Sequence, residues 1–345
     1  MDKVDRNKAS LETSLRDGNV IIMTLPKLGI DMAKHTFEVA ILHGEKLRHQ
    51  QFENAPAGFH ALTVWLTRQG VSQGHAVMEA TGTYGEDLAL YLYHAGHRVS
   101  VVNPARIKAF GQSELQRNKN DRMDATSIAR FAVKHDPEAW TPPPAELRQL
   151  QGLVRHLDDL IAQHSQWQQR LTESRPVPAV QTSLQTLLAV VEDQMQQVQQ
   201  QIRDHVTQHP ELARQQALLT SIPGIGEATA ARLLAEMAPL ERFQSARQAA
   251  AYTGLTPKYY ESGSSVRGRT HLSKIGNARV RKALYWPAIA ALRCNPLIRA
   301  FGQRLRERGK AKMAVIGAAM RKLVHLAYGV LKTGKPFDEK HAICS

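Results

Sequence analysis

Four carboxylates stand where an oxygen-donor metal site would need them. Asp31 lies at the end of the apolar run GIDMA and Glu79 at the end of HAVMEA, positions where a carboxylate is costly to bury unless a cation meets it. Asp121 and Asp124 are three apart at the start of a helical stretch and so share a face, with Lys119 and Arg122 beside them. Carboxylates drawn from three elements suit one or two Mg²⁺ ions, which prefer oxygen ligands and keep positions open for phosphate oxygens. Asp121 taken alone reads equally well as a helix cap. A second cluster lies far downstream, where Tyr259, Tyr260, Glu261, Ser262, Gly263, Ser264 and Ser265 precede RGRTHLSKIGNARVRKALY. A glycine-adjacent serine ahead of arginines can offer its hydroxyl to a phosphodiester whose oxygens the guanidinium groups hold. A solvated polar loop is the plainer reading of the same residues.

The basic charge is concentrated around that second cluster. The 345-residue chain has a net charge of +14, yet residues 258–335 hold 18 Lys or Arg against only Glu261 and Glu307, a balance of +16. Such a block repels itself unless a polyanion neutralises it, and a nucleic-acid backbone is the usual partner. Arg267, Arg269, Lys274, Arg279, Arg281 and Lys282 are the backbone contacts this predicts. A merely solvated basic face is the alternative.

Asp31 and Glu79 need a sheet to bring them together, and the pattern supplies one. LGIDMA, TFEVAILH and KLRHQQFEN read as three successive strands, with a turn at 43–45. A helix over 57–69, a strand at HAVMEA, a helix over 84–95 and a strand at HRVSVVN follow, then helices over 104–110 and 121–134. With acids on the first strand, the fourth strand and a later helix, this order resembles the α/β RNase H-like fold of the RuvC resolvase, where such carboxylates bind divalent metal.

PEAWTPPPAEL ends that region, because successive prolines cannot continue a helix. Over 146–216, Leu147, Leu150, Val154, Leu157 and Ile161, then Leu184, Leu187, Val191, Met195, Val198 and Ile202, recur near heptad spacing. Two long helices broken around RPVP would form a coiled-coil hairpin or oligomer arm. Leu150, Leu157, Val191 and Val198 would then face a partner chain, unless the stripe is an internal packing face. In LLTSIPGIGEATAARLLAEM two helical patterns flank Pro223-Gly224-Ile225-Gly226, the pattern of a helix-hairpin-helix. Gly224 and Gly226 would let a phosphate approach the N–H groups that open the second helix. Thr229 stands where a dinucleotide loop wants its third glycine, and no Walker Lys-Ser/Thr pair follows.

Together, GIDMAKHTFEVAI, MEATGTYGEDLALYL, VNPARIKAFGQSELQRNKNDRMDATSIARF, IPGIGEATAARLLAEM and SGSSVRGRTHLSKIGNARVRKALY resemble the IS110 family of insertion-sequence transposases, with its IS1111 relatives. The resemblance covers roughly residues 28–337. It implies a DEDD recombinase with Asp31, Glu79, Asp121 and Asp124 as Mg²⁺ ligands and Ser262 as the nucleophile, Ser264 and Ser265 standing close by. It implies donor and target DNA as substrates, a non-coding guide (bridge) RNA as partner, and a homo-oligomer, a dimer assembling to a tetramer. The division expected is an extension over 1–25, the RNase H-like domain over 26–140, a coiled-coil oligomerisation region over 141–216, a mostly helical transposase domain with the hairpin and serine loop over 217–337, and a tail.

Other classes are disfavoured. Cys294 and Cys344 are too few for a disulfide framework or a zinc site, and the polar N-terminal residues lack the apolar core of a signal peptide. The longest uncharged apolar run, residues 283–292, is half a membrane span. A soluble, cytoplasmic, nucleoid-associated bacterial protein is expected. Two competing functions stay open: a metal-dependent junction nuclease in which the serine is incidental, and a non-catalytic helix-hairpin-helix nucleic-acid-binding protein. Tyrosine recombination through Tyr259 or Tyr260 is a third, weaker reading.

Overall fold

The structure, a computed structural model, describes residues 15–16, 19–20, 25–44, 46–80, 84–114, 121–173, 177–258, 261–262, 266–267 and 271–339, with the backbone alone at 15–16, 19–20, 43, 241, 261–262 and 266–267. Two compact units divide the chain within the proline run, at Pro142 and Pro143.

The first unit is organised by a five-stranded mixed sheet. Its strands are β1 (Lys27–Met32), β2 (Thr36–His43), β3 (Lys46–Glu53), β4 (His75–Glu79) and β5 (Arg98–Val102), in the spatial order β3-β2-β1-β4-β5. The first three form an antiparallel meander, while β4 and β5 extend the sheet in parallel from β1. Helices α1 (Pro56–Arg68), α2 (Glu86–His94), α3 (Pro104–Ser113) and α4 (Asp121–His135) complete it. The two-residue period of the strands sorts side chains to opposite faces. Leu28, Ile30, Val39, Ile41 and Met78 pack with Phe59, Leu62, Leu88 and Leu92 of α1 and α2. On the other face Val77 meets Ile107, Phe110, Ile128 and Phe131 of α3 and α4, and Ala40 meets Ala125 and Ala129.

Helix α4 lies unusually close to the strands. A Cβ added at Gly29 would fall 2.1 Å from the Ala125 carbonyl oxygen and 2.3 Å from the Ala129 nitrogen, so only glycine fits between sheet and helix. The segment after α4 is fastened at the opposite end of the strands. Lys27 Nζ lies 3.0 Å from Nδ1 of the fully buried His75, which as acceptor leaves the ring proton on Nε2, 2.8 Å from Ser100 Oγ. The Ser100 hydroxyl in turn reaches the carbonyls of Pro137 and Glu138, and Asp136 pairs with Lys27 and Arg98. Those cations, with burial first, push the His75 imidazole down to about 4, and hydrogen bonding from Lys27 holds the Asp136 carboxyl at about 2.

In the second unit α5 (Ala145–Glu173) and α6 (Pro178–Gln208) form the expected long hairpin. It continues into α7 (Pro210–Thr220), α8 (Glu227–Met237), α9 (Ala246–Tyr252), α10 (Ala278–Cys294), α11 (Pro296–Glu307) and α12 (Lys312–Thr333). One core joins Leu150, Leu157, Val191 and Val198 to residues of α8, α10 and α12, so these four positions pack inside the chain and offer no free face to a partner. The exposed apolar residues of the hairpin lie elsewhere, at Val177, Val180, Leu187 and Val190. Helix α12 is long and apolar enough to cross a membrane, but Val315, Ile316, Ala319, Leu323 and Val324 are buried in this core.

Candidate active site

Register alone makes neighbours of two of the first-unit carboxylates. Ile30 pairs with Met78 across the parallel β1 and β4 strands, which makes Asp31 and Glu79 the next residues on neighbouring strands. Both fall on the face covered by α4, because Ile30 and Met78 point to the other one. Asp31 and Glu79 are half-buried there. Helix α4 begins over the same end of the sheet: its Thr126 bonds His49 Nε2 at 3.2 Å, and its Arg122 Nε sits 3.6 Å from Glu38 Oε1. Asp121 and Asp124, in the first turn of α4, are exposed and half-buried respectively.

Glu38 is the carboxylate that the sequence reading missed. It stands opposite Asp31 in the antiparallel ladder and is only 4% exposed. Its Oε1 is buried without a hydrogen bond, with Arg122 Nε and His49 Nδ1 lying 3.6 and 3.7 Å away. Burial pushes its carboxyl above the ordinary value, Arg122 pulls it down, and the charge of Asp121 pushes it up again. That influence places Asp121 within electrostatic reach of Glu38. Alternation within TFEVAILH was the available signal, since Glu38 shares a strand face with Ala40 and Leu42.

Carboxylate oxygens from β1, β4 and α4 are the donor set of a hard divalent cation. Among the described residues, however, no three His, Cys, Asp or Glu side chains are close enough together to hold a metal ion.

The second constellation rides on a narrow hairpin. Its inner rung pairs β6 (Pro257–Lys258) with β9 (His271–Leu272), and its outer rung pairs β7 (Glu261–Ser262) with β8 (Val266–Arg267). Ser262 is opposite Val266 on the outer rung. Tyr259, Tyr260, Gly263, Ser264, Ser265 and Arg269 lie outside the described residues, as do the side chains of Ser262 and Arg267.

The foot of this hairpin is firmly held. Ser273 N–H donates to Thr256 O at 2.8 Å and Asn277 N–H to Tyr252 O at 2.7 Å. Asn277 caps α10 through its side-chain oxygen, and its Nδ2 donates to Glu236 Oε2 at 2.8 Å. Arg155 from α5 reaches the other Glu236 oxygen at 2.9 Å. Arg281 Nη1 donates to the carbonyls of Thr253 and Gly276, a structural duty for a residue expected at a phosphate. Lys274, Arg279 and Lys282 are exposed.

Between α7 and α8 the turn contains both expected glycines, with different surroundings. Gly224 has φ +104° and its Cβ position lies 2.7 Å from the Ala291 side chain, so packing against α10 accounts for it. Gly226 opens α8 with nothing within 4 Å of its Cβ position.

Residues 28–174 match a family described as Transposase, and residues 216–303 match one described as Transposase IS116/IS110/IS902 family. The Pilin gene-inverting protein of Moraxella bovis is 33% identical over 325 residues, covering 92% of this chain and 99% of that protein. The corresponding protein of Moraxella lacunata is also 33% identical over 325 residues, with the same coverage of both chains. The Transposase for insertion sequence element IS1111A of Coxiella burnetii is 24% identical over 300 residues, covering 77% of this chain and 78% of that one.

Proposed function

The chain belongs to the IS116/IS110/IS902 family of transposases, DNA-recombining enzymes, and from that premise we propose that it cuts and rejoins DNA through a covalent bond to Ser262. The observation that supports this reading is that Asp31 and Glu79 end adjoining strands on the face covered by the helix whose first turn holds Asp121 and Asp124, while a serine followed by arginines sits on a hairpin in the basic block.

In the step proposed, the Ser262 hydroxyl oxygen attacks phosphorus, a P–O bond to one deoxyribose breaks, and the serine proton ends on the oxygen that leaves. The new phosphoserine ester keeps the bond energy, so resealing needs neither water nor ATP. Arg267 and Arg269 hold the non-bridging oxygens. Asp31, Glu79, Asp121 and Asp124 would hold Mg²⁺, which when bound offsets charge on the scissile phosphate. Lys274, Arg279 and Lys282 contact the backbone, and the N–H groups at Gly226 donate to a further phosphate. The guide RNA rests on family membership, and the size of the basic block accommodates such a second polyanion.

Since strand exchange joins two duplexes, the reading calls for several copies, a dimer assembling to a tetramer. The exposed Val180, Leu187 and Val190 of α6 are the face this reading assigns to assembly. The same exchange chemistry inverts a segment when its two sites face each other on one molecule, the reaction that the names of the Moraxella relatives describe.

A covalent protein–DNA adduct, resolved on a denaturing gel, tests the proposal. Wild-type protein should give the adduct and Ser262→Ala should not. An adduct that persists in Ser262→Ala moves the nucleophile to Ser264, Ser265 or Tyr260, and no adduct with either protein favours hydrolysis by a junction nuclease.

A further inference from the structure

Trp286 is 72% exposed in the middle of α10, whereas Trp65, Trp140 and Trp167 are half-buried. An indole left in water on a helix that buries Val280, Leu284, Ala288 and Ala291 on its other side calls for a reason. Its surroundings supply one. At helical spacing, the exposed residues of α10 between its terminal Ala278 and Cys294 form one stripe: Arg279, Lys282, Trp286, Ala290 and Arg293. The stripe runs about 21 Å at 1.5 Å per residue, and α10 contains no Asp or Glu at all. The half-buried Tyr285, packed against the core, meets the Trp286 ring edge-on, with centroids 5.4 Å apart and planes at 78°. Pro287, next in the chain, has no N–H, so the Ala283 carbonyl beside the stripe lacks its usual helical donor.

We infer that this face of α10 is a nucleic-acid track on which Trp286 stacks against an unpaired base. Arg279, Lys282 and Arg293 hold the flanking phosphates, and the open Ala283 carbonyl offers an acceptor to a base amine. Aromatic stacking between cationic side chains is the physics of single-strand binding, and it tolerates any base because each has a π face. A second copy of this chain suits the face poorly, since two surfaces from a +16 block would then meet. The inference rests on the reading of the protein as a DNA recombinase and adds to it where, and by which side chain, an unpaired strand is gripped.

The test uses the full chain, a labelled single-stranded oligothymidylate and a duplex of equal length, with binding followed by fluorescence anisotropy over a salt series. Trp286→Ala should weaken single-strand binding by roughly 5- to 150-fold, the range for one stacked base, with much less effect on the duplex and an unchanged salt slope. Trp286→Phe should retain most of the affinity. Arg279→Ala should weaken both probes and reduce the salt slope by about one. Equal single-strand affinity of Trp286→Ala and wild type overturns the stacking role while leaving the recombinase reading intact. A fall in the mass of Trp286→Ala by light scattering, without loss of affinity, makes the face a contact between copies instead. If wild-type protein binds neither probe, the broader reading fails first.

Discussion

Asp31 and Glu38 face each other across the antiparallel ladder, on the side of the sheet that α4 covers. One is a candidate metal ligand. The other is a buried carboxylate whose Oε1 has no hydrogen bond. Because burial raises its carboxyl, the folded chain binds the Glu38 proton more tightly than the unfolded chain, so the ionised form weakens the fold near neutrality. Glu38→Gln, which is neutral and nearly isosteric, should raise the melting temperature at pH 7, and that gain should shrink as the pH falls toward the unfolded carboxyl value. A lower melting temperature for Glu38→Gln would show that the Arg122 contact outweighs desolvation.

Loss of chemistry should separate from loss of binding. Asp31→Ala, Glu79→Ala, Asp124→Ala and Ser262→Ala should each reduce strand exchange by about 10²-fold or more, while the basic block keeps most of the nucleic-acid affinity. Asp121→Ala should behave likewise unless that residue only caps α4. If one chain can supply carboxylates and another the serine, mixing Asp31→Ala with Ser262→Ala protein should recover activity. Variants that lose DNA binding along with activity would contradict this division.

Gly29→Ala is a small change with a large expected effect. Its methyl group would sit within 2.1 Å of the Ala125 carbonyl and force α4 off the sheet. Overpacking of this kind costs about 1–3 kcal/mol, to be read from denaturant unfolding. Recombination should fall further than that stability loss explains, since Asp121 and Asp124 ride on the displaced helix. Wild-type activity in a folded Gly29→Ala protein would show that the helix position does not set the site.

Acid should loosen the first unit through His75. Its imidazole is neutral in the fold and titrates near 4, against 6.5 for an ordinary histidine, with Lys27 and Arg98 resisting its charge and Asp136 favouring it. The unfolded chain therefore takes up a proton that the folded chain refuses, and stability drains as the pH falls from about 6.5 to about 4. The full effect is roughly 3 kcal/mol. Melting of His75→Gln should depend less on pH across that window than melting of wild type, and parallel curves would refute the assignment.

Assembly is expected through the exposed stripe of α6. Leu187→Asp combined with Val190→Asp should lower the mass seen by light scattering with the fold intact. Leu150→Asp should instead unfold the hairpin, since Leu150 is fully buried within the chain. An unchanged mass for the α6 variant would move the interface elsewhere.

The sheet was legible because strand alternation and hairpin register follow from local sequence: GIDMA and HAVMEA placed Asp31 and Glu79 at adjoining strand ends. Glu38 was not, because its burial comes from α4, far along the chain. The heptad spacing located both long helices correctly but did not tell a partner chain from the internal core that Leu150 and Val198 share with residues of α8, α10 and α12. Likewise Gly224 looked like a phosphate-binding glycine, whereas Ala291, 67 residues later, explains it by contact. Trp286 carried no signal at all, since exposure of one helical residue depends on what the rest of the unit leaves uncovered.

Arg155, Glu236 and Asn277 draw a line of short polar contacts from the long hairpin to the residue that starts α10, at the foot of the serine hairpin. Its consequence is mechanical. With both Glu236 oxygens engaged and the residue buried, the arm and the foot of the serine hairpin are tied directly to each other. Copies that meet through the arm would thus fix the angle of each serine hairpin as well as their number, and an arm that twists would aim it.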